Sequence, residues 1–218
     1  VSFMDIQLAL DRLTRQQCLD TVKAVHDLVD YVELGTGVIK QYGVGIITEI
    51  KERFAGKKIV ADMKTCDAGR SETELAFGSG ADVTTVMAFS DERTVRMSLE
   101  VAAREHKDVM IDLLGMSDAE KIRQLHEWGA RLFCLHRGKD SQPSDRHGRT
   151  EDGLAQVLKN LPGVRIAYAG GISHENIDRV LSLSPNIVVI GSAITGSPCM
   201  REAAFTFRRK CDGHENMA

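Results

Sequence analysis

The chain has 218 residues, of which 43% are hydrophobic and 27% charged, and a formal net charge of -3. That length suits one α/β barrel, and the charge leaves no basic excess to attract nucleic acid or an anionic membrane surface. No apolar run approaches a membrane span, the N-terminal "VSFMDIQLAL" has no signal-peptide signature, and the five cysteines form no C-x-x-C pair, so a reduced, cytoplasmic protein with mostly structural cysteines is expected.

In chain order, the first apolar run is 6–10 (IQLAL). Thr14 and Gln17 then read as a capping box, and Leu19, Val22, Val25 and Val29 as the inner stripe of a helix. Further runs stand at 31–35 (YVELG), 58–63 (KIVADM) and 82–87 (DVTTVM). Asp91 is predicted to cap a helix reaching about Glu105. After 109–114 (VMIDLL), Ser117 with Glu120 predicts another capped helix, with Ile122, Leu125 and Trp128 inward and Gly129 as its stop. Cys134 sits inside the run 131–136 (RLFCLH) and reads as a small hydrophobe. The last runs are 165–170 (RIAYAG) and 186–191 (NIVVIG), with Ser173 between them predicted to cap a helix ending near Leu183. The polar segment from about 211 is expected to fray.

These runs are nearly continuous in apolar residues, as parallel strands buried on both faces require. Strands alternating with helices eight times predict a single-domain (β/α)8 TIM barrel. A doubly wound open sheet would carry a glycine-rich fingerprint after its first strand, where this chain has "LDRLT".

The chemistry of such a barrel sits at the C-terminal strand ends. In order these carry Asp11, Glu33, Asp62 with Lys64 and Asp67, Asp112, His136, Gly170-Gly171 and Gly191-Ser192. Singly, each has an ordinary structural reading: Asp11 as a helix cap, His136 as a core histidine, Asp67 as the N-cap of a helix from Gly69. Together they form one polar rim. Glu33 and Asp62 end adjacent strands about 4.8 Å apart, close enough for both to hold one hard cation such as Mg²⁺. Alternatively, one of them pairs with Lys64 and no metal binds. Lys64, two residues past Asp62, is expected on the same face and can stabilise an oxyanion. Asp67 lies in the loop beyond, able to lean over the mouth or reach an adjacent subunit. The paired glycines after the seventh and eighth strands suit a phosphate.

The ordered set "LALD", "VELGT", Asp62-x-Lys64-x-x-Asp67, "LHRGKD", "AGGI" and "GSAIT" resembles the orotidine 5′-phosphate decarboxylase superfamily over about residues 5–208. Within it, the chain is similar to the metal-dependent branch of 3-hexulose-6-phosphate synthases and 3-keto-L-gulonate-6-phosphate decarboxylases. The resemblance implies Mg²⁺ on Glu33 and Asp62, an enediolate stabilised by Lys64, proton transfer by His136, and substrate contact by Asp11. It further implies that Asp112 orients His136 or a water, and that Gly171, Gly191 and Ser192 hold phosphate. Asp67 would enter the other subunit's site in a homodimer. Asp112 and "GSAIT" favour the synthase, which joins ribulose 5-phosphate to formaldehyde. Lys139 is a basic residue where the decarboxylase carries its proton-delivering arginine, and so points the other way. A non-catalytic sugar-phosphate-binding barrel is the alternative of another class.

Overall fold

A computed structural model describes residues 4–138 and 148–214. Eight parallel strands close into a barrel in sequence order. They are β1 (Asp5–Leu10), β2 (Tyr31–Leu34), β3 (Lys58–Thr65), β4 (Val83–Met87), β5 (Asp108–Asp112), β6 (Leu132–His136), β7 (Arg165–Ala169) and β8 (Ile187–Ile190). Each falls within two residues, at either end, of an apolar run in the sequence. The helices are α1 (Arg15–Val25), α2 (Thr36–Tyr42), α3 (Gly45–Arg53), α4 (Gly69–Gly78), α5 (Glu92–Glu105), α6 (Ala119–Glu127), α7 (Gly148–Lys159), α8 (Ile177–Ser182), α9 (Ser192–Thr195) and α10 (Met200–His214).

Two apolar layers follow from the strand period of two. Outward-facing strand residues such as Ile6, Leu8, Val32, Ile59 and Ile111 pack against the helices in one large core. Inward-facing ones form the smaller barrel core of Ala9, Tyr31, Val60, Val83, Met110, Leu132, Cys134, Ala167, Ala169, Ile187 and Val189. Several of these are alanines, so the inside of the barrel is not filled to its mouth.

Local signals were mostly met. Thr14 Oγ1 accepts from the Gln17 N–H at 3.2 Å, and Gln17 Oε1 from the Thr14 N–H at 2.9 Å, which completes the capping box of α1. Asp91 caps α5 by accepting the Arg93 N–H at 2.8 Å. Gly129 ends the α6 segment at φ 109°.

Three expectations are corrected. Asp118, not Ser117, caps α6, accepting the Glu120 N–H at 2.8 Å, because a carboxylate one residue later reaches the first free amides. Ser173 takes the Glu175 N–H at 3.3 Å in a turn, and the helix starts only at Ile177. The segment from 211 does not begin as a frayed tail: α10 runs through His214 and Cys211 is fully buried.

All five cysteines are free, with Cys18, Cys134 and Cys211 buried and Cys66 and Cys199 exposed. Burial pushes the Cys18 and Cys211 thiols up to about 11 and the Cys134 thiol well above its ordinary value. Thiolate is the reactive form, so at pH 8 these three are expected to resist alkylation until the protein unfolds, while Cys199 labels at once. Mass spectrometry of native against denatured protein after iodoacetamide checks this.

Candidate active site

The inward parity that fills the barrel also builds its mouth. Continuing each inward row by one step leads from Ala9 to Asp11, Tyr31 to Glu33, Val60 to Asp62, Val83 to Thr85, Met110 to Asp112 and Cys134 to His136. All six line a single cavity of about 520 Å³, together with Lys64, Gly171, Gly191 and Ser192. That volume suits a small metabolite. Of the residues singled out in the sequence, Asp67 does not line this cavity, and Lys139 lies outside the described residues. A second depression of about 460 Å³ lies on the outer surface beside α1 and α3. Three of its charged side chains pair with one another, Glu49 with Arg15 at 2.7 Å and with Arg53 at 3.0 Å.

Lys64 is the centre of the charge network. Its Nζ lies 3.1 Å from Asp62 Oδ1 and 2.7 Å from Asp112 Oδ2. Burial opposes the ammonium, but the two carboxylates outweigh it and hold Lys64 above the ordinary lysine range. Asp112 also meets His136 Nδ1, at 2.9 Å and 3.0 Å, and accepts the Leu114 N–H at 2.9 Å. Burial works against the Asp112 charge, yet the hydrogen bond and charge of His136, with those of Lys64, hold it down to about 2. The carboxylate fixes the proton of a neutral His136 ring on Nδ1, which leaves Nε2 as the basic nitrogen. Asp112 thus bridges the Lys64 ammonium and the His136 ring.

Asp62 is held on both oxygens. Oδ1 accepts from Lys64 and, at 2.8 Å, from Thr85 Oγ1, while Oδ2 accepts from Thr36 Oγ1 at 2.7 Å. A carboxylate has about four acceptor positions, so one remains. Glu33 receives the Gln7 amide at 2.5 Å. Burial, then the nearby charges of Asp62 and Asp11, push Glu33 well above the ordinary carboxylate range. Burial and Asp62 likewise raise Asp11. Three carboxylates thus crowd the ends of β1, β2 and β3. Gln7 Oε1, on the 1% exposed Gln7, has no partner among the described residues. An excess of anionic oxygen beside an orphaned amide oxygen is the environment a hard cation relieves. Among the described residues no three His, Cys, Asp or Glu side chains converge as a closed metal site. A cation held here would draw on two carboxylates and complete its shell with solvent and ligand oxygens, a set that suits Mg²⁺ better than Zn²⁺.

Glycines shape two walls. A Cβ at Gly35 would overlap Asp11 Oδ1, and one at Gly170 (φ 100°) would overlap the Arg137 carbonyl. Gly171, Gly191, Ser192 and Thr195 line the β7–β8 side of the cavity.

Polar lining residues not singled out from the sequence include Gln7, Arg12, Thr36 and Thr85. Gln7 and Thr85 were accessible by strand parity alone. Arg12 is exposed at φ 52° and makes no hydrogen bond or ion pair among the described residues, and its charge acts on Asp11 at the mouth.

With this geometry in place, comparison with known proteins is decisive for the family. A profile of the "Orotidine 5′-phosphate decarboxylase / HUMPS family" matches residues 4–207. The chain belongs to this family. A protein named 3-hexulose-6-phosphate synthase from Bacillus subtilis (strain 168) is 32% identical over 202 residues, spanning 92% of this chain and 95% of that one. One of the same name from Staphylococcus aureus (strain MSSA476) is 30% identical over 211 residues, 96% of this chain and all of the relative. The crystal structure of 3-hexulose-6-phosphate synthase from Salmonella typhimurium superposes with a TM-score of 0.91 at 35% identity, covering 97% of this chain and 100% of that one. As a member of the orotidine 5′-phosphate decarboxylase / HUMPS family, the chain is an enzyme of the lyase class with a (β/α)8 barrel.

Proposed function

We infer that the chain adds ribulose 5-phosphate to formaldehyde, the reaction of a 3-hexulose-6-phosphate synthase. The observation that carries this reading is the Lys64–Asp112–His136 chain, an ammonium and an oriented imidazole joined by one carboxylate, in a family member whose full-length relatives at 30–35% identity bear the synthase name.

His136 Nε2 removes the C1 proton of ribulose 5-phosphate as general base. Asp112 keeps the ring aimed and stabilises the imidazolium that results. The Lys64 ammonium faces the oxyanion of the enediolate. C1 of that enediolate then forms a bond to the formaldehyde carbon, and the new alkoxide takes the proton back from His136. The product is a 3-hexulose 6-phosphate, with all atoms of both reactants retained. Lys64 is held as an ammonium and so does not form a Schiff base with either carbonyl, which separates this site from lysine-imine aldolases. Glu33 and Asp62 would hold Mg²⁺, which when bound polarises the sugar oxygens and acidifies C1–H. Asp11 contacts a substrate hydroxyl, and Gly171, Gly191 and Ser192 hold the phosphate.

Asp67 acts in the partner's site of a homodimer. Two observations support this: Asp67 is exposed outside its own cavity, where among the described residues its Oδ1 accepts only the adjacent Ala68 N–H at 2.7 Å; and Phe89, after β4, is 60% exposed. The two lie on neighbouring loops, since Ser90 Oγ bonds the Thr65 carbonyl at 3.3 Å. Five free thiols fit a reducing cytoplasm.

A paired assay tests the reaction. Formaldehyde consumption is expected to require both ribulose 5-phosphate and Mg²⁺ and to stop with EDTA. Release of CO₂ from 3-keto-L-gulonate 6-phosphate without formaldehyde consumption would assign the decarboxylase reaction instead, and neither activity would leave a binding barrel.

A further inference from the structure

We propose that Thr85 is a positioning residue whose single hydroxyl sets the backbone of Lys64 and the carboxylate of Asp62 together. The starting observation is that Lys64 has φ 48°, in the left-handed region that non-glycine residues occupy only when their surroundings hold them there. The pairing of β3 with β4 slips between Ala61 and Thr65, so the regular ladder does not supply that hold. In its place the Lys64 N–H donates to Thr85 Oγ1 at 2.9 Å. The same hydroxyl donates its one proton to Asp62 Oδ1 at 2.8 Å. With an acceptor and a donor function both committed, the hydroxyl has no free rotation left. Thr85 is 4% exposed, and a valine there would keep its shape while removing the hydroxyl.

The neighbouring bonds show why Thr85 is the one that matters. Thr84 Oγ1 holds the Ala61 carbonyl at 3.2 Å, and Ser90 Oγ the Thr65 carbonyl at 3.3 Å, which pins the two ends of the irregularity. Between those ends, Thr85 reaches both charged residues. Thr36 shares its proton between the Asp62 carbonyl at 2.8 Å and Oδ2 at 2.7 Å and makes no hydrogen bond to Lys64, so it is the natural control among the described residues. Thr85 itself touches no reacting atom; it acts through Lys64 and Asp62. Its role rests on the reading of Lys64 as the group that stabilises the enediolate.

The test compares Thr85→Val, of the same shape without the hydroxyl, with Thr85→Ser and Thr36→Val. Three quantities are measured: exchange of the ribulose 5-phosphate C1 proton in D₂O without formaldehyde, kcat and KM of the complete reaction, and the metal-free crystal structure. Thr85→Val is expected to slow exchange and kcat by about 10–100-fold, the usual cost of removing a residue that orients a site ligand, with KM for the sugar phosphate little changed. Its Lys64 backbone is expected to leave the left-handed region. Thr85→Ser should restore both rate and backbone, and Thr36→Val should leave the Lys64 backbone in place. Unchanged exchange and kcat in Thr85→Val overturns the proposal. So does a Thr85→Val structure with Lys64 φ still near 48° and Nζ still bonded to Asp62 and Asp112. If the valine variant does not fold, Thr85→Cys, similar in size and a weak hydrogen-bonding group, takes its place with the same expected loss. A wild-type protein that exchanges the C1 proton but consumes no formaldehyde sinks the synthase reading and leaves the Thr85 comparison standing.

Discussion

Lys64→Ala is expected to lower kcat by about 10³-fold or more while the barrel still folds. The variant removes the ammonium that faces the developing oxyanion, and losing one such preorganised group costs about 10²–10³. It also removes the charge that Asp62 and Asp112 share. These two carboxylates, 8% and 3% exposed at their side chains, then lie near each other without a cation. Asp112 loses part of what holds its charge and transfers less cleanly with His136. The thermodynamic cost is up to about 3 kcal/mol, at the low end for breaking a buried pair, because the Lys64 side chain is 26% exposed and water can enter where it stood. Steady-state kinetics with far-UV circular dichroism on the same sample reads both effects. Near-normal turnover by a folded Lys64→Ala protein would rule out the proposed role.

Glu33→Gln should separate stability from activity in opposite directions. Without metal, Glu33 is half-buried beside Asp62 and Asp11, and its folded pKa lies well above its unfolded one. A group raised in this way contributes stability below its unfolded pKa, and that contribution is lost as pH rises through the folded value. Metal-free wild-type protein is therefore expected to lose stability relative to Glu33→Gln as pH climbs above the ordinary glutamate range. The glutamine stays neutral, keeps an oxygen for the Gln7 amide, and removes the like-charge crowding. At pH 8 the metal-free variant is expected to melt higher than the metal-free wild type. Activity should fall by about 10²-fold or more, and added Mg²⁺ should raise the melting temperature of the wild type but hardly that of the variant. Thermal melts across pH, with EDTA and with Mg²⁺, measure this; equal melting of the two metal-free proteins at every pH would remove the argument. A site that gains stability when disabled is the common outcome where function requires buried like charges.

The barrel was legible because its strands are short, apolar on both faces and regularly spaced, so the count did not depend on exact boundaries. The rim was legible because strand parity extends one step past each apolar run, which brings Asp11, Glu33, Asp62, Asp112 and His136 to one mouth. Lys64 shows the limit of that reasoning. Parity put it on the correct face, but the strand around it is irregular and the residue is left-handed, so its ammonium arrives by a different path. Nothing in "DMKT" signals this, since the cause is a hydroxyl on the neighbouring strand. The caps at Ser117 and Ser173 were misplaced for a related reason. Each lies in a run of competing hydrogen-bonding residues, and tertiary packing decides which one meets the first turn. Gln7 and Thr85 escaped notice because a neutral polar residue in an apolar run carries no charge signal, and Thr36 because it sits between two glycines just past such a run.

The overlap between position 35 and Asp11 has a consequence for anyone recombining barrels of this kind. A (β/α)8 fold invites piecewise exchange, one strand and loop at a time. Here the loop after β2 and the carboxylate after β1 occupy one shared volume. A graft that brings any side chain to position 35 evicts Asp11 from the cavity, however well the new loop folds. The first two βα units form one indivisible block, and a chimera has to cross over outside it.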